Sequence, residues 1–209
     1  MRLSLRQFVS DLASALKAVD ATKPQGSSRK RVYRPGVGPL GEDEAVSRAL
    51  TILRGDQHGP YGDAGPRSYP LTGQECDLVI PGEWAIVLKL LRPFGDNCRE
   101  FEHWSENILH PYPGTTSTVG DCLKLLDSGF SEGKAVVVFG YEHMPPQISL
   151  EPAVKAFELI AAGVASIRLG QRHTALATGL IHPCHQQVQV YGWEVIGREI
   201  QPTERSGAA

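Results

Sequence analysis

The amino-acid sequence predicts an α/β fold, a mixed central β-sheet flanked by helices. Three observations predict it. Apolar residues recur at helical spacing in several separate segments. Two short apolar runs, 76–80 and 84–91, are joined by the turn-forming Pro81-Gly82-Glu83. Residues 134–141, Lys-Ala-Val-Val-Val-Phe-Gly-Tyr, form a continuous apolar run, as a strand buried on both faces requires. The resulting order of helix, hairpin, helices, buried strand, helix and strand needs a sheet with helices packed against it.

Each element has its own signal. In residues 3–19, Leu5, Phe8, Val9, Leu12 and Leu16 follow the i, i+3, i+4, i+7 spacing of one helix face. Residues 21–40 lose that period and hold Pro24, Gly26, the basic cluster Arg29-Lys30-Arg31 and Pro35-Gly36-Val37-Gly38-Pro39, which predicts a linker or extended arm. A second helix is expected over 41–53, with Val46, Ala49, Leu50 and Leu53 inward and Glu42 at the head of that face; Gly55 stops it. The Gly- and Pro-rich stretch 55–73 reads as a long loop with room for a short strand. Helices follow over 101–109 and 118–128, the latter capped by Ser117 or Thr118 and stopped by Gly129. After the buried strand come a helix over 151–166, with Pro152 in its first turn, and late strands at 180–181 and 187–196. The expected division is an N-terminal helix and arm (1–40), one α/β domain (41–200) and a flexible tail (201–209).

Composition narrows the function classes. The chain has 209 residues, 41% hydrophobic and 21% charged, an ordinary globular mix. A formal net charge of −2 argues against a protein that coats nucleic acid non-specifically, so any such contact needs a local basic patch. The four cysteines form no CxxC pair, the N-terminus lacks a signal-peptide pattern, and no stretch approaches membrane-spanning length. The expectation is a cytoplasmic chain with reduced thiols, no disulfide framework and no membrane partner.

The chemistry-bearing run is Asp77-Leu-Val-Ile-Pro-Gly-Glu83-Trp-Ala-Ile-Val87-Leu-Lys89. With a three-residue turn at 81–83, Ile80 faces Trp84 and Asp77 faces Val87. Asp77 and Lys89 then project from the same side at the same end of the hairpin, whereas a two-residue turn puts Asp77 on the other face. Together with the preceding helix, this run resembles the PD-(D/E)XK nuclease superfamily over roughly residues 41–143. In that family a helix with an acidic residue precedes a hairpin whose strands supply an aspartate and then (D/E)xK, and a helix and buried strand follow. Asp77 matches the aspartate, with Cys76 where proline is common, and Lys89 matches the lysine. Glu42 matches the helix acid, with Glu44 as second choice.

The resemblance implies a restriction-endonuclease-like core with an N-terminal helix. It also implies Mg²⁺ (or Mn²⁺) held by carboxylates, DNA as substrate, a restriction or defence role and a homodimer. Arg92, Arg29, Lys30 and Arg31 are the candidate phosphate contacts, with a surface salt bridge for Arg92 and a solvated linker for the cluster as the alternatives. The acidic position of (D/E)xK falls on Val87, which cannot bind a metal. Three readings follow. A carboxylate has migrated to the next helix, at Glu102 or, one turn on, Glu106; Glu83 in the turn replaces it; or the site is dead and the domain binds nucleic acid or a partner without cutting. An unrelated α/β interaction protein is a further alternative. His182-Pro-Cys184-His185 crowds soft donors into four residues, but lacks the spacing and the second half of a zinc finger, so a turn at a strand edge is expected there. No Walker loop, GxSxG elbow or strand-linked GxGxxG is present.

Overall fold

The computed structural model describes residues 2–28, 31–55, 59–112 and 117–198. Five helices are formed among them: α1 (Leu5–Ala21), α2 (Glu42–Leu53), α3 (Glu106–Leu109), α4 (Thr118–Leu126) and α5 (Glu151–Gly163). The strands are β1 (Ser27–Ser28), β2 (Arg31–Val32), β3 (Gly65–Ser68), β4 (Glu75–Ile80), β5 (Trp84–Leu91), β6 (Gly133–Glu142), β7 (Ile167–Leu169), β8 (His173–His182) and β9 (His185–Arg198). A seven-stranded mixed sheet runs β3-β4-β5-β6-β9-β7, with β8 also paired to β9. β5 and β6 are parallel, with Lys89 beside Val138, and α4 lies in the connection between them. The chain is therefore an α/β protein with a mixed sheet flanked by helices.

The alternation of side chains divides the interior into two cores. Ile86, Leu88, Val137, Phe139, Val188 and Val190 pack on one face with α1 and α2. Val87, Val136, Val138 and Trp193 pack on the other with α4 and α5. β6 is buried on both faces, as its unbroken apolar run required. Helix α1 starts at Ser4, whose side chain accepts from the Gln7 amide at 3.1 Å, and buries Leu5, Phe8, Val9, Leu12 and Leu16. Gly192 lets it come close: a Cβ there would lie 2.6 Å from Val9 Cγ2.

Several expectations change. Helix α1 shares its core with α2 and the sheet, and Val37 and Leu40 of the arm are buried in it. Asp20 anchors the arm by accepting the Val37 amide at 2.9 Å and the Ile181 amide at 2.8 Å. The short strand for which the 55–73 stretch left room is β3. The helix expected over 101–109 is cut to α3, because residues 102–105 form a turn in which His103 has φ 60°. β8 begins at His173 rather than residue 180; its exposed, alternating first half lacks the apolar density that marks a buried strand. The tail 201–209 lies outside the described residues.

The expectation of four reduced cysteines is also corrected. Cys98 and Cys184 are joined, with Cα atoms 5.6 Å apart, while Cys76 and Cys122 are free and buried. The partners are 86 residues apart and meet only because the segment after β5 lies against the β8–β9 turn. Among the described residues, no helix is long and apolar enough to cross a membrane.

Gly192→Ala drives a methyl into Val9 and should destabilise the fold by about 1–3 kcal/mol. Gly163→Ala, with open space around its Cβ position, should be neutral or stabilise by up to about 1 kcal/mol. Chemical denaturation of the two variants checks the contrast.

Candidate functional site

The β4–β5 turn has the three residues Pro81, Gly82 and Glu83: Ile80 pairs with Trp84, Val79 with Ala85 and Leu78 with Ile86. That register opposes Asp77 to Val87. A second feature modifies it. The β3–β4 pairing slips by one residue between Gly65↔Val79 and Arg67↔Cys76. Cys76 and Val79 consequently face the α4/α5 core, while Leu78 and Ile80 face the α1/α2 core. Strict alternation is broken beside Asp77, and such an irregularity re-aims side chains. Asp77 opens into a cleft along α2 instead of simply following Val87 and Lys89 toward α4.

Leu78↔Ile86 is the last pair of the two strands. Past it, carboxylates take β5 amides: Leu88 N–H donates to Asp77 Oδ2 at 2.8 Å, and Leu90 N–H donates to Glu42 Oε2. Glu42 stands at the first position of α2, where the helix dipole also favours a carboxylate. Lys89 extends from the opposite face of β5 to α4. Its Nζ lies 2.9 Å from Asp121 Oδ2, in ion-pair contact, and Lys124 Nζ holds the other oxygen at 3.0 Å.

The four groups act on one another electrostatically. Burial pushes Glu42 up from 4.5 to about 7, against the pull of Lys89 and the Leu90 amide and with help from Asp77 and Asp43. Burial also raises Asp77, and the Leu88 amide and Lys89 only partly offset it. For Lys89, burial works downward, but Asp121, Glu42 and Asp77 outweigh it and hold the ammonium above its ordinary value. Lys89 is thus the cation shared by three carboxylates, each on a different element.

The cleft has a volume of about 420 Å³, and Glu42, Asp43, Glu75 and Asp77 line it together with Arg54. Hard carboxylate oxygens suit Mg²⁺ or Mn²⁺. Glu42 and Asp77 each commit one oxygen to an amide and retain the other. Among the described residues, the acids make no cage: the one group of three or more potential ligands whose atoms lie within 4.8 Å of one another is His182, Cys184 and His185. Mg²⁺ does not need a cage, since one or two carboxylates plus water and phosphate oxygens suffice. Glu42 and Asp77 are the cleft carboxylates whose second oxygens are not engaged by β5 amides.

Other expected site residues are placed elsewhere. Glu102 is exposed in the turn before α3 and Glu106 is exposed at its start; the acid that meets Lys89 is Asp121 of α4. The broken helix at His103 is the reason. Glu83 is tied to the N-terminal segment, accepting the Leu3 amide at 3.0 Å. Val87 is buried in the α4/α5 core. Arg92 is no free phosphate contact: its Nη1 donates to the Gly38 and Leu40 carbonyls at 3.0 and 3.1 Å, and its guanidinium lies over Phe101. Arg29 and Lys30 lie outside the described residues, as does the side chain of Arg31. Sequence reasoning missed Asp121, Asp43, Glu75 and Arg54. The available signal for Asp121 was an acid in the first turn of a helix otherwise packed on the lysine-bearing strand.

Compared with protein-family models, curated proteins and solved structures, the chain matches none.

A carboxyl held above its unfolded value favours the folded state fully below pH 4.5 and loses that contribution as pH rises through about 7. Metal-free parent protein should lose up to about 3 kcal/mol from this source across that window. Glu42→Gln, which keeps an acceptor for Leu90, should lack that component. Denaturation at a series of pH values in EDTA measures the difference between them, and a flat difference would refute the assigned shift.

Proposed function

We propose that the protein is a Mg²⁺-dependent endonuclease-like enzyme acting on DNA phosphodiesters, with Asp121 positioning Lys89. The carrying observation is that Glu42, Asp77 and Asp121 all act electrostatically on Lys89 beside the point where β4 leaves β5, with Asp121 in direct ion-pair contact. The order of α2, hairpin, α4 and buried β6 is compatible with the resemblance in the sequence, which also supplies DNA, a restriction or defence role and a dimer as expectations.

Glu42 and Asp77 would hold the cation. When bound, Mg²⁺ supplies charge for the phosphate oxygens and acidifies an attacking water. Lys89, ionised at neutral pH, would stabilise charge developing on the phosphate instead of accepting a proton. Asp121 and Lys124 fix where that ammonium points. Glu42, near 7 in the free protein, has the proton affinity suited to exchange close to neutrality until a cation lowers it.

A second reading, a nuclease-like domain that binds nucleic acid or a partner without cutting, has its own support. Both cleft carboxylates already serve as acceptors for β5, and the acids do not converge closely.

Supercoiled plasmid with Mg²⁺ or Mn²⁺ separates the two. Nicking is expected, reduced at least about 100-fold by Asp77→Asn, Lys89→Met and Asp121→Asn, and changed less than about 2-fold by Glu102→Gln. Loss of cleavage in Glu102→Gln with retention in Asp121→Asn would remove Asp121 from the assignment. No cleavage by the parent, with no Mg²⁺ or Mn²⁺ binding by calorimetry, would leave the second reading.

A further inference from the structure

The β8–β9 turn and the segment after β5 form a second polar centre, distinct from the acidic cleft. His182, Cys184 and His185 are fully or almost fully buried, and their ligand atoms lie within 4.8 Å of one another. The half that the sequence lacked is Cys98, whose sulfur is bonded to that of Cys184. Cys98 thus adds a fourth soft donor at the edge of the three-residue group, through its bond to Cys184.

The histidine hydrogen bonds determine which nitrogens are available. His185 Nε2 lies 2.8 Å from the Phe94 carbonyl oxygen, which can only accept, so Nε2 carries the proton. His185 Nδ1 is then a bare lone pair, and it is buried with no hydrogen-bond partner. His182 directs Nε2 at Asp96 Oδ1, 3.4 Å away, while its Nδ1 accepts from the Cys184 amide at 3.4 Å and lies 3.5 Å from Cys184 Sγ. At His185 a carbonyl stands behind one ring nitrogen and the other is left open, which is how proteins orient a metal-binding imidazole; at His182 an ion at Nδ1 would displace the Cys184 amide. Gly38 backs His185 so closely that any Cβ there would fall 2.4 Å from its Nδ1, and Asp20 ties the arm to the strand end at Ile181. This is a buried, backbone-supported cluster with an unpartnered imidazole nitrogen, which a simple strand-edge turn does not require.

We propose that Cys98, His182, Cys184 and His185 bind one Zn²⁺ when the Cys98–Cys184 bond is reduced, so that the disulfide and the zinc site are two states of one centre. Ligands at about 2.0–2.3 Å from a tetrahedral ion stand about 3.3–3.8 Å apart, which matches the scale of this cluster. The imidazoles, stacked with centroids 4.3 Å apart, must fan outward to reach one ion. In the reductive step a dithiol supplies two electrons and two protons. The S–S bond breaks, two thiols form, and the dithiol leaves as its own disulfide. Binding Zn²⁺ then releases both thiol protons to solvent.

The test uses the full chain, reduced with a dithiol, desalted without oxygen and titrated with Co²⁺ and then Zn²⁺. Expected are thiolate-to-cobalt charge-transfer absorption, the intense visible bands of tetrahedral Co²⁺, their loss on adding one equivalent of Zn²⁺, and a Zn²⁺ Kd below about 1 µM. Air-oxidised protein and Cys98→Ser should bind at least about 100-fold more weakly, and Asp96→Asn, which removes a positioning group, about 10-fold more weakly. Far-ultraviolet circular dichroism checks that the variants fold. Absence of the charge-transfer band in the reduced parent, or equal Zn²⁺ binding by the oxidised protein, overturns the proposal without reference to any variant. Unchanged binding by folded Cys98→Ser also overturns it, and points to the acidic cleft instead.

Discussion

Once β4 departs from β5 after Leu78↔Ile86, the next amides of β5 still need acceptors, and that requirement organises the whole acidic end of the sheet. Asp77 and Glu42 supply them at Leu88 and Leu90. Drawing two carboxylates into a partly dry space raises their proton affinity, and a nearby cation joins the β5 amides in offsetting part of that rise. Lys89 is that cation. Its charge needs Asp121 in turn, which couples α4 to the strand that α2 already grips. A backbone irregularity is thereby converted into a charged junction of two helices and two strands.

Structural capping and cation binding draw on the same side chains without excluding each other. A carboxylate has two oxygens, and the amides of β5 engage one each from Asp77 and Glu42. The remaining oxygens border a cleft that also contains Asp43 and Glu75, so negative charge accumulates faster than Lys89 and Arg54 offset it. Such an excess can be relieved by protonation, which Glu42 favours near neutrality, or by a divalent cation. The coupling between Glu42 and Lys89 means that either event is felt across the sheet at Asp121.

The centre at the β8–β9 turn is built on the opposite chemical preference. Its donors are soft and uncharged until thiols ionise, and their supports are carbonyls, one carboxylate and the close backbone of Gly38. It also explains why the arm after α1 is folded against the sheet. Arg92 holds the Gly38 and Leu40 carbonyls, Asp20 holds Val37, and the arm closes the pocket over His185. The arginine best placed in sequence to meet a phosphate is thereby used inside the protein.

By itself, the sequence determined the class of fold and the local facts of the hairpin. Helical spacing, the buried run of β6 and the Pro-Gly-Glu turn depend on neighbours within a few residues, so periodicity reveals them, and that turn put Asp77 and Lys89 at one end of two paired strands. Only the tertiary structure decided what depends on distant segments. The irregularity at Asp77 arises from pairing with β3, which hardly registers as a strand. The choice of Asp121 over Glu102 follows from a broken turn at His103 and from where α4 lands on β5. The meeting of Cys98 with Cys184 requires the sheet to be assembled first. Side-chain period is a property of one segment, whereas the partner of a carboxylate, a thiol or an amide is settled by which other segment the packed core brings within reach.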